Sequence, residues 1–322
     1  MTSKRISTFL CALCLFATGG FYDSRAFAQW QYRLRSGGFG ADAASSWPVY
    51  VAQEKGFLAK EGIQLDFARS YEQMMALLGG SFDIIADGVS TTTLAAEKGA
   101  DILVVYELSR RPSQFIALGR GIKALSELEG KTIGIGRVGT VPHLLLKKYL
   151  AKNAVDINKI NFRLAGGSHE RFAALYTGQI SATLLSDAYA FRAQQEGMQI
   201  TAMAKDLVFP WTYIVLRKSW AKANSDIVIR FVRGIYRATL WSYDPANFEG
   251  VVRTLTPITR FDQKTMTWAL KSAIGNKVHN FERPDTGVLQ LAVGWLVSER
   301  MLSKPFDAAT VIDTQYYDQA VK

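Results

Sequence analysis

Residues 47–67 read WPVYVAQEKGFLAKEGIQLDF, and this stretch decides the fold class. Val49, Tyr50, Ala52 and Phe57 recur at the spacing of one buried helical face. Gly56 and Gly62 can take the left-handed conformation that ends a helical turn. Ile63, Leu65 and Phe67 then alternate as a strand does. A first strand is expected around Tyr32 to Arg35, followed by a turn through Gly37, Gly38 and Gly40. The unit therefore reads strand, helix, strand.

Two further segments carry the same character in order along the chain. Ala76-Leu77-Leu78-Gly79-Gly80-Ser81-Phe82-Asp83 reads as a helix ending at glycine and feeding a strand, and Leu128-Glu129-Gly130-Lys131-Thr132-Ile133-Gly134 as another strand entry. Together with residues 47–67 they resemble the periplasmic solute-binding proteins of ABC importers, in the branch that includes the sulfonate, taurine, nitrate and thiamine-pyrimidine binders. The resemblance implies an α/β, type II periplasmic binding protein-like fold, with two lobes, each a sheet flanked by helices, and a ligand cleft between them. It also implies a first lobe in two parts, residues 29–115 and 216–322, with a second lobe over 116–215 inserted between them.

The first 28 residues have the anatomy of a secretory signal peptide. Lys4 and Arg5 precede an apolar run from Ile6 to Ala17, and Ala26-Phe27-Ala28 is a small-x-small cleavage signal. The run is shorter than the roughly 20 residues a bilayer span requires. Cys11 and Cys14 lie inside it, so the mature chain is expected to hold no thiol, disulfide or thiolate metal site. Leu10 and Leu13 precede these cysteines where a lipoprotein needs a small residue. The formal charge is +10; Lys and Arg are scattered among acidic residues, which reads as a solvated basic surface rather than a nucleic-acid stripe.

From Tyr32 to Leu216 strand-like and helix-like segments alternate, with candidate strands at 82–86, 102–106, 132–135, 161–164 and 182–185. After Ser219 the chain becomes mainly helical, with candidates at 227–243, 245–255, 263–274 and 286–301. Ala76-Leu77-x-x-Gly80-x-Phe82-Asp83 is echoed by Ala174-Leu175-x-x-Gly178-x-Ile180-Ser181, as expected if two similar lobes each aim strand ends at a shared cleft.

In open sheets of this kind ligands collect beyond the carboxyl ends of strands, which selects four loops and the return crossing. Phe39, Asp42 and Trp47 follow the first strand; Trp47 reads equally as core. Ser90 and Thr91 open a helix in a run of four hydroxyl residues, Ser90-Thr91-Thr92-Thr93, suited to an anion or to ordinary capping. Arg137, Gly139 and Thr140 form the third turn, in which Arg137 suits carboxylate, sulfonate or phosphate oxygens or is a solvated charge. Gly134, Gly136 and Gly139 also spell G-x-G-x-x-G, a weak motif on its own. Asp187 accepts a ligand amine or caps a helix, and Trp211, at the return crossing, closes over a solute or packs the hinge.

His143, His169 and His279 lack the short-range pairing of zinc sites, and no G-x-S-x-G nucleophile motif occurs. The family resemblance accordingly implies a periplasmic, non-enzymatic receptor without cofactor, which captures a small organic anion, a sulfonate or carboxylate with or without an aromatic body, and delivers it to an ABC permease whose ATPase is on another chain. A thiamine-precursor pyrimidine binder is the alternative. A pyrimidine-synthase-like enzyme shares the fold but carries a cysteine-rich motif that the mature chain lacks. Nucleic-acid partners are not expected.

Overall fold

A computed structural model describes residues 31–41, 43–68, 72–202 and 209–322. The expected leader, residues 1–28, lies outside them. Two five-stranded sheets form the frame. The first is built from β1 (Tyr32–Gly37), β2 (Ile63–Ala68), β3 (Ile84–Gly88), β4 (Leu103–Ser109) and one later strand; the chain then leaves to build β5 (Phe115–Leu118), β6 (Thr132–Ile135), β7 (Asn161–Leu164), β8 (Ala182–Leu185) and β9 (Gln199–Ala202), and returns as β10 (Thr212–Leu216). The spatial orders are β2-β1-β3-β10-β4 and β7-β6-β8-β5-β9.

The deciding stretch folds as one unit. The helix Trp47–Glu54 is followed by a helical turn, Phe57–Lys60, and then β2. Gly56 and Gly62 both have positive φ, +75° and +74°, conformations that cost a side-chain-bearing residue about 1–2 kcal/mol. Strand β2 runs parallel to β1, Tyr32 opposite Ile63. Val49, Val51, Ala52 and Leu58 are fully buried, and the long helix Ser225–Tyr243 covers them with Val228, Phe231, Val232 and Ile235. Full burial of a Val, Leu, Ile or Phe side chain contributes about 1.5–3 kcal/mol. Below this layer the buried Glu61 carboxylate receives Arg233 at 2.9 Å and Arg237 at 3.1 Å.

The internal echo has a structural meaning. Gln73–Leu78 leads through Gly80 into β3, and Ser168–Tyr176 leads through Gly178 into β8, each being the third strand of its sheet. The departure from Asp to Ser also has one. Asp83 clamps β1, accepting the Arg35 backbone N–H at 2.9 Å and its guanidinium at 2.6 and 3.1 Å, whereas at Ser181 the backbone N–H alone ties to Thr132 in β6.

One expected boundary moves. The division at 215/216 would place Thr212–Val215 in the second lobe, but β10 pairs antiparallel with both β3 and β4 and is central to the first sheet. The return crossing therefore ends before Thr212. Of the C-terminal helices, Gln263–Gly275 packs against Asp187–Gln195 of the second lobe, where Trp268 stacks on Phe191 at 5.1 Å. Thr286–Ser298 covers the first sheet with Leu289, Val293 and Leu296. It ends three residues short of the expected 301, and the expected helix at 245–255 starts at Phe248 and runs to Thr259.

Candidate functional site

A cavity of about 740 Å³ opens between the two sheets. Its first wall is the turn after β1. Gly38 has φ +77°, and a Cβ there would lie 2.1 Å from the Ala86 carbonyl, so glycine lets this turn pass close against β3. Phe39 follows, its ring edge-on to Phe67 at 5.8 Å, while Tyr50 donates its hydroxyl to the Phe39 carbonyl at 2.6 Å. Trp47 is 1 % exposed and donates its indole N–H to the Ala41 carbonyl at 3.0 Å. Of its two readings the structure shows the core one: Trp47 supports the turn from beneath and does not line the cavity. Asp42 lies outside the described residues.

The facing wall comes from the second lobe. Gly167 caps the helix Ser168–Tyr176, whose first residues, Ser168, His169 and Glu170, line the cavity; a helix N-terminus is a position of positive partial charge. The buried Arg171 guanidinium braces this entry, donating to Leu184 O at 2.9 Å and to Ser168 Oγ at 3.2 Å. The helix Asp187–Gln195 adds Tyr189 and Arg192, with Tyr189 Oη 3.2 Å from His169 Nδ1. Ile258 and Thr259, the last residues of the helix Phe248–Thr259, and Arg260 and Phe261 after it close the third side. Phe261 meets Tyr189 edge-on at 5.0 Å, and the Arg192 guanidinium lies 5.9 Å from the Phe261 ring.

The remaining sequence candidates sit elsewhere. Asp87 is buried, and burial raises its pKa despite hydrogen bonds from Thr91, Gln73 and Thr92. The Thr91 hydroxyl is thus committed to Asp87 at 2.5 Å rather than to the cleft. Ser90 Oγ accepts the Val141 N–H at 3.0 Å, joining two helix starts from opposite lobes. Arg137 is exposed, 3.6 Å from Glu72 of the other lobe. Gly139 (φ +67°) directs its N–H to His143 Nδ1 at 3.3 Å, and Thr140 Oγ1 donates to the Arg137 carbonyl at 3.0 Å. None of these five residues, Ser90, Thr91, Arg137, Gly139 and Thr140, lines the cavity.

Asp187 is 1 % exposed and bridges the lobes. One carboxyl oxygen accepts Ser113 of the outgoing crossing, and the other accepts Ser272 of the helix Gln263–Gly275 at 2.7 Å. Burial pushes its pKa up to about 6. Its helix is capped by Ser186, so Asp187 is neither the cap nor a cavity wall. Trp211 is half-buried just before β10. Its backbone joins Ser109 and Val89, and its ring packs with the cluster around Leu289 and Phe209.

Phe39 is thus the one sequence candidate that the described residues place in the cavity wall. Ser168, His169, Glu170, Tyr189, Arg192, Arg260 and Phe261 were missed. Gly166-Gly167-Ser168 after β7 obeys the same strand-end rule that selected the other loops and was the available signal. Among the described residues no group of three His, Cys, Asp or Glu side chains is placed to hold a metal ion, and no helix is long and apolar enough to cross a membrane.

Known proteins agree with this architecture. "Putative binding protein YtlA" of Bacillus subtilis (strain 168) is 24 % identical over 205 residues, covering 60 % of this chain and 61 % of YtlA. The riboflavin-binding protein RibY of Chloroflexus aurantiacus is 25 % identical over 202 residues, covering 59 % of this chain and 56 % of RibY. The chain thus spans about three-fifths of the length of these curated relatives. The alkanesulfonate-binding protein SsuA of Xanthomonas axonopodis pv. citri, solved with MOPS, superimposes with a TM-score of 0.71 at 19 % identity, over 87 % of this chain and 98 % of SsuA. The fold also serves catalysis, since the desulfurization enzyme DSZB matches with a TM-score of 0.66 at 13 % identity, over 90 % and 98 % of the two chains. The family model described as NMT1/THI5 like matches residues 43–247, more than half of the sequence, and the chain belongs to that family.

Proposed function

We propose that this chain is the solute receptor of an ABC importer, exported to the periplasm, and that it binds a small organic anion with a flat apolar body. The observation that carries the reading is the inter-lobe cavity of about 740 Å³, within the roughly 300–1,000 Å³ typical of small-molecule sites. Its walls combine aromatic rings (Phe39, Tyr189, Phe261) with guanidinium groups (Arg192, Arg260) and a helix N-terminus. Rings offer apolar contact, and cations with backbone N–H groups complement an anion. Because the walls come from both lobes, a ligand that touches both favours the closed state, and hinge closure gives a permease a difference to read.

A receptor rather than an enzyme is favoured by the relatives, both of which are named as binding proteins. A second reading has its own observation. Glu170 lies beside the aromatic walls, and a carboxylate next to flat rings also suits an amino-bearing heterocycle such as an aminopyrimidine. A thermal-shift screen of the chain from Gln29 onward separates the two. Aryl sulfonates and carboxylates are expected to raise the melting temperature selectively; ligand at 100 times its Kd adds about 2.7 kcal/mol. A shift confined to pyrimidines would move the assignment to the second reading, and no shift from any solute would count against a receptor.

A further inference from the structure

We infer that Arg192 and Arg260 form a two-lobe clasp that grips the anionic group of the ligand and makes closure depend on it. The inference rests on the receptor reading above. Arg192 belongs to the second-lobe helix Asp187–Gln195, whereas Arg260 follows the first-lobe helix Phe248–Thr259, and both line the one cavity. Among the described residues neither makes an ion pair, although Arg33, Arg35, Arg110, Arg120, Arg233 and Arg283 all do. The Arg192 guanidinium instead rests against the rings of Phe172 at 5.5 Å and Phe261 at 5.9 Å, an arrangement that leaves its N–H edge for an acceptor.

Two cations brought to one cavity from separate lobes repel each other, and the single Glu170 carboxylate in the same lining offsets only part of their charge, so the empty site resists full closure. An anion placed between them reverses the sign of that interaction. Guanidinium groups match the planar oxygens of carboxylates and the oxygen face of sulfonates with paired N–H donors. The aromatic body then lies against Phe39, Tyr189 and Phe261. Inorganic oxyanions gain the charge but not the ring contact, and neutral aromatics the reverse, so the clasp selects the combination. The helix starts at Ser90 and Val141 offer no competing anchor, because Ser90 Oγ holds the Val141 N–H and neither residue lines the cavity.

Arg260 also makes a discriminating test possible. Its φ is +58°, a left-handed conformation shared by Ala154, Lys277 and Arg300 but natural to glycine. Arg260→Gly therefore removes the cation without straining the turn. Isothermal titration with naphthalene-2-sulfonate, and with the uncharged naphthalene-2-sulfonamide, is measured on wild type, Arg192→Ala and Arg260→Gly, with melting temperature as the folding control. The clasp predicts sulfonate affinity at least tenfold lower in each variant, sulfonamide binding weak and unchanged, and an Arg260→Gly melting temperature at or above wild type. Sulfonate affinity within threefold of wild type in both variants overturns it. So does a wild-type protein that takes the sulfonamide as tightly as the sulfonate, or that takes no sulfonate at millimolar concentration. If a neutral heterocycle binds instead, the receptor stands and the clasp alone falls.

Discussion

Replacing Asp187 by Asn gives a stability change whose size and pH window follow from one buried carboxyl. Asp187 sits between Ser113 and Ser272, with Tyr243 and His279 in the same buried region. Desolvation raises its pKa from 3.8 to about 6, outweighing the hydrogen bond from Ser272. The folded protein therefore holds this proton more tightly than the unfolded chain does. Below about pH 4 the carboxyl is protonated in both states; as pH rises through the window to about 6 the unfolded chain ionises first, and stability is lost. The full loss corresponds to roughly 3 kcal/mol, at 1.36 kcal/mol per pKa unit. Asn does not titrate and keeps one acceptor and one donor for the two serines. Urea unfolding of wild type and Asp187→Asn at pH 4, 5, 6 and 7, followed by tryptophan fluorescence, isolates this contribution. Glu107, raised to about 7, and His279, lowered to about 4, affect both proteins alike and cancel in the difference. The difference is expected to move in favour of Asn by a few kcal/mol between pH 4 and pH 7. A difference that stays constant across the series would refute the reasoning.

Three further outcomes follow from placements in the cleft. Trp47→Phe loses the bond to Ala41 and part of a buried volume, so it is expected to cost about 1–3 kcal/mol in unfolding free energy, with solute affinity in titration calorimetry unchanged; a loss of affinity at full stability would return Trp47 to the cavity wall. Gly38→Ala forces a Cβ toward the Ala86 carbonyl at positive φ and is expected to cost about 2 kcal/mol and to weaken solute binding by displacing Phe39, measured by chemical denaturation and titration calorimetry. Arg137→Ala removes only an exposed pair with Glu72, of a kind that contributes little, so titration with an aryl sulfonate is expected to give an affinity within threefold of wild type.

How much the sequence disclosed depends on whether the signal was local. The stretch 47–67 was legible because helix period, glycine stops and strand alternation all lie within it, and Gly56 and Gly62 have the positive φ they suggested. Strands β6, β7 and β8 fall at 132–135, 161–164 and 182–185 as read. β5, β9 and β10 were not read as strands. Phe115–Leu118 is a short apolar run with no alternation, Gln199–Ala202 is a half-exposed edge, and β10 owes its place to pairing with β3 and β4, which are more than a hundred residues away in sequence. The site was less legible than the fold for the same reason. Arg192 looks like any solvated residue in a helix and Arg260 like a helix end; only tertiary packing brings both to Tyr189 and Phe261. Conversely, the hydroxyl run at Ser90 to Thr93 is a local signal that the fold uses internally, on Asp87, Val141 and the helix's own carbonyls.

The central claim is that a solute is held by both lobes in the cavity behind Phe39. Hydrogen exchange of the chain from Gln29 onward, with and without the tightest solute from the thermal-shift screen, tests it most directly. The account predicts ligand-dependent protection concentrated in three separated segments, 38–41, 167–170 and 258–261, drawn from both lobes. Protection confined to one lobe, or centred on the turn at 137–141 with those three segments unchanged, would contradict it.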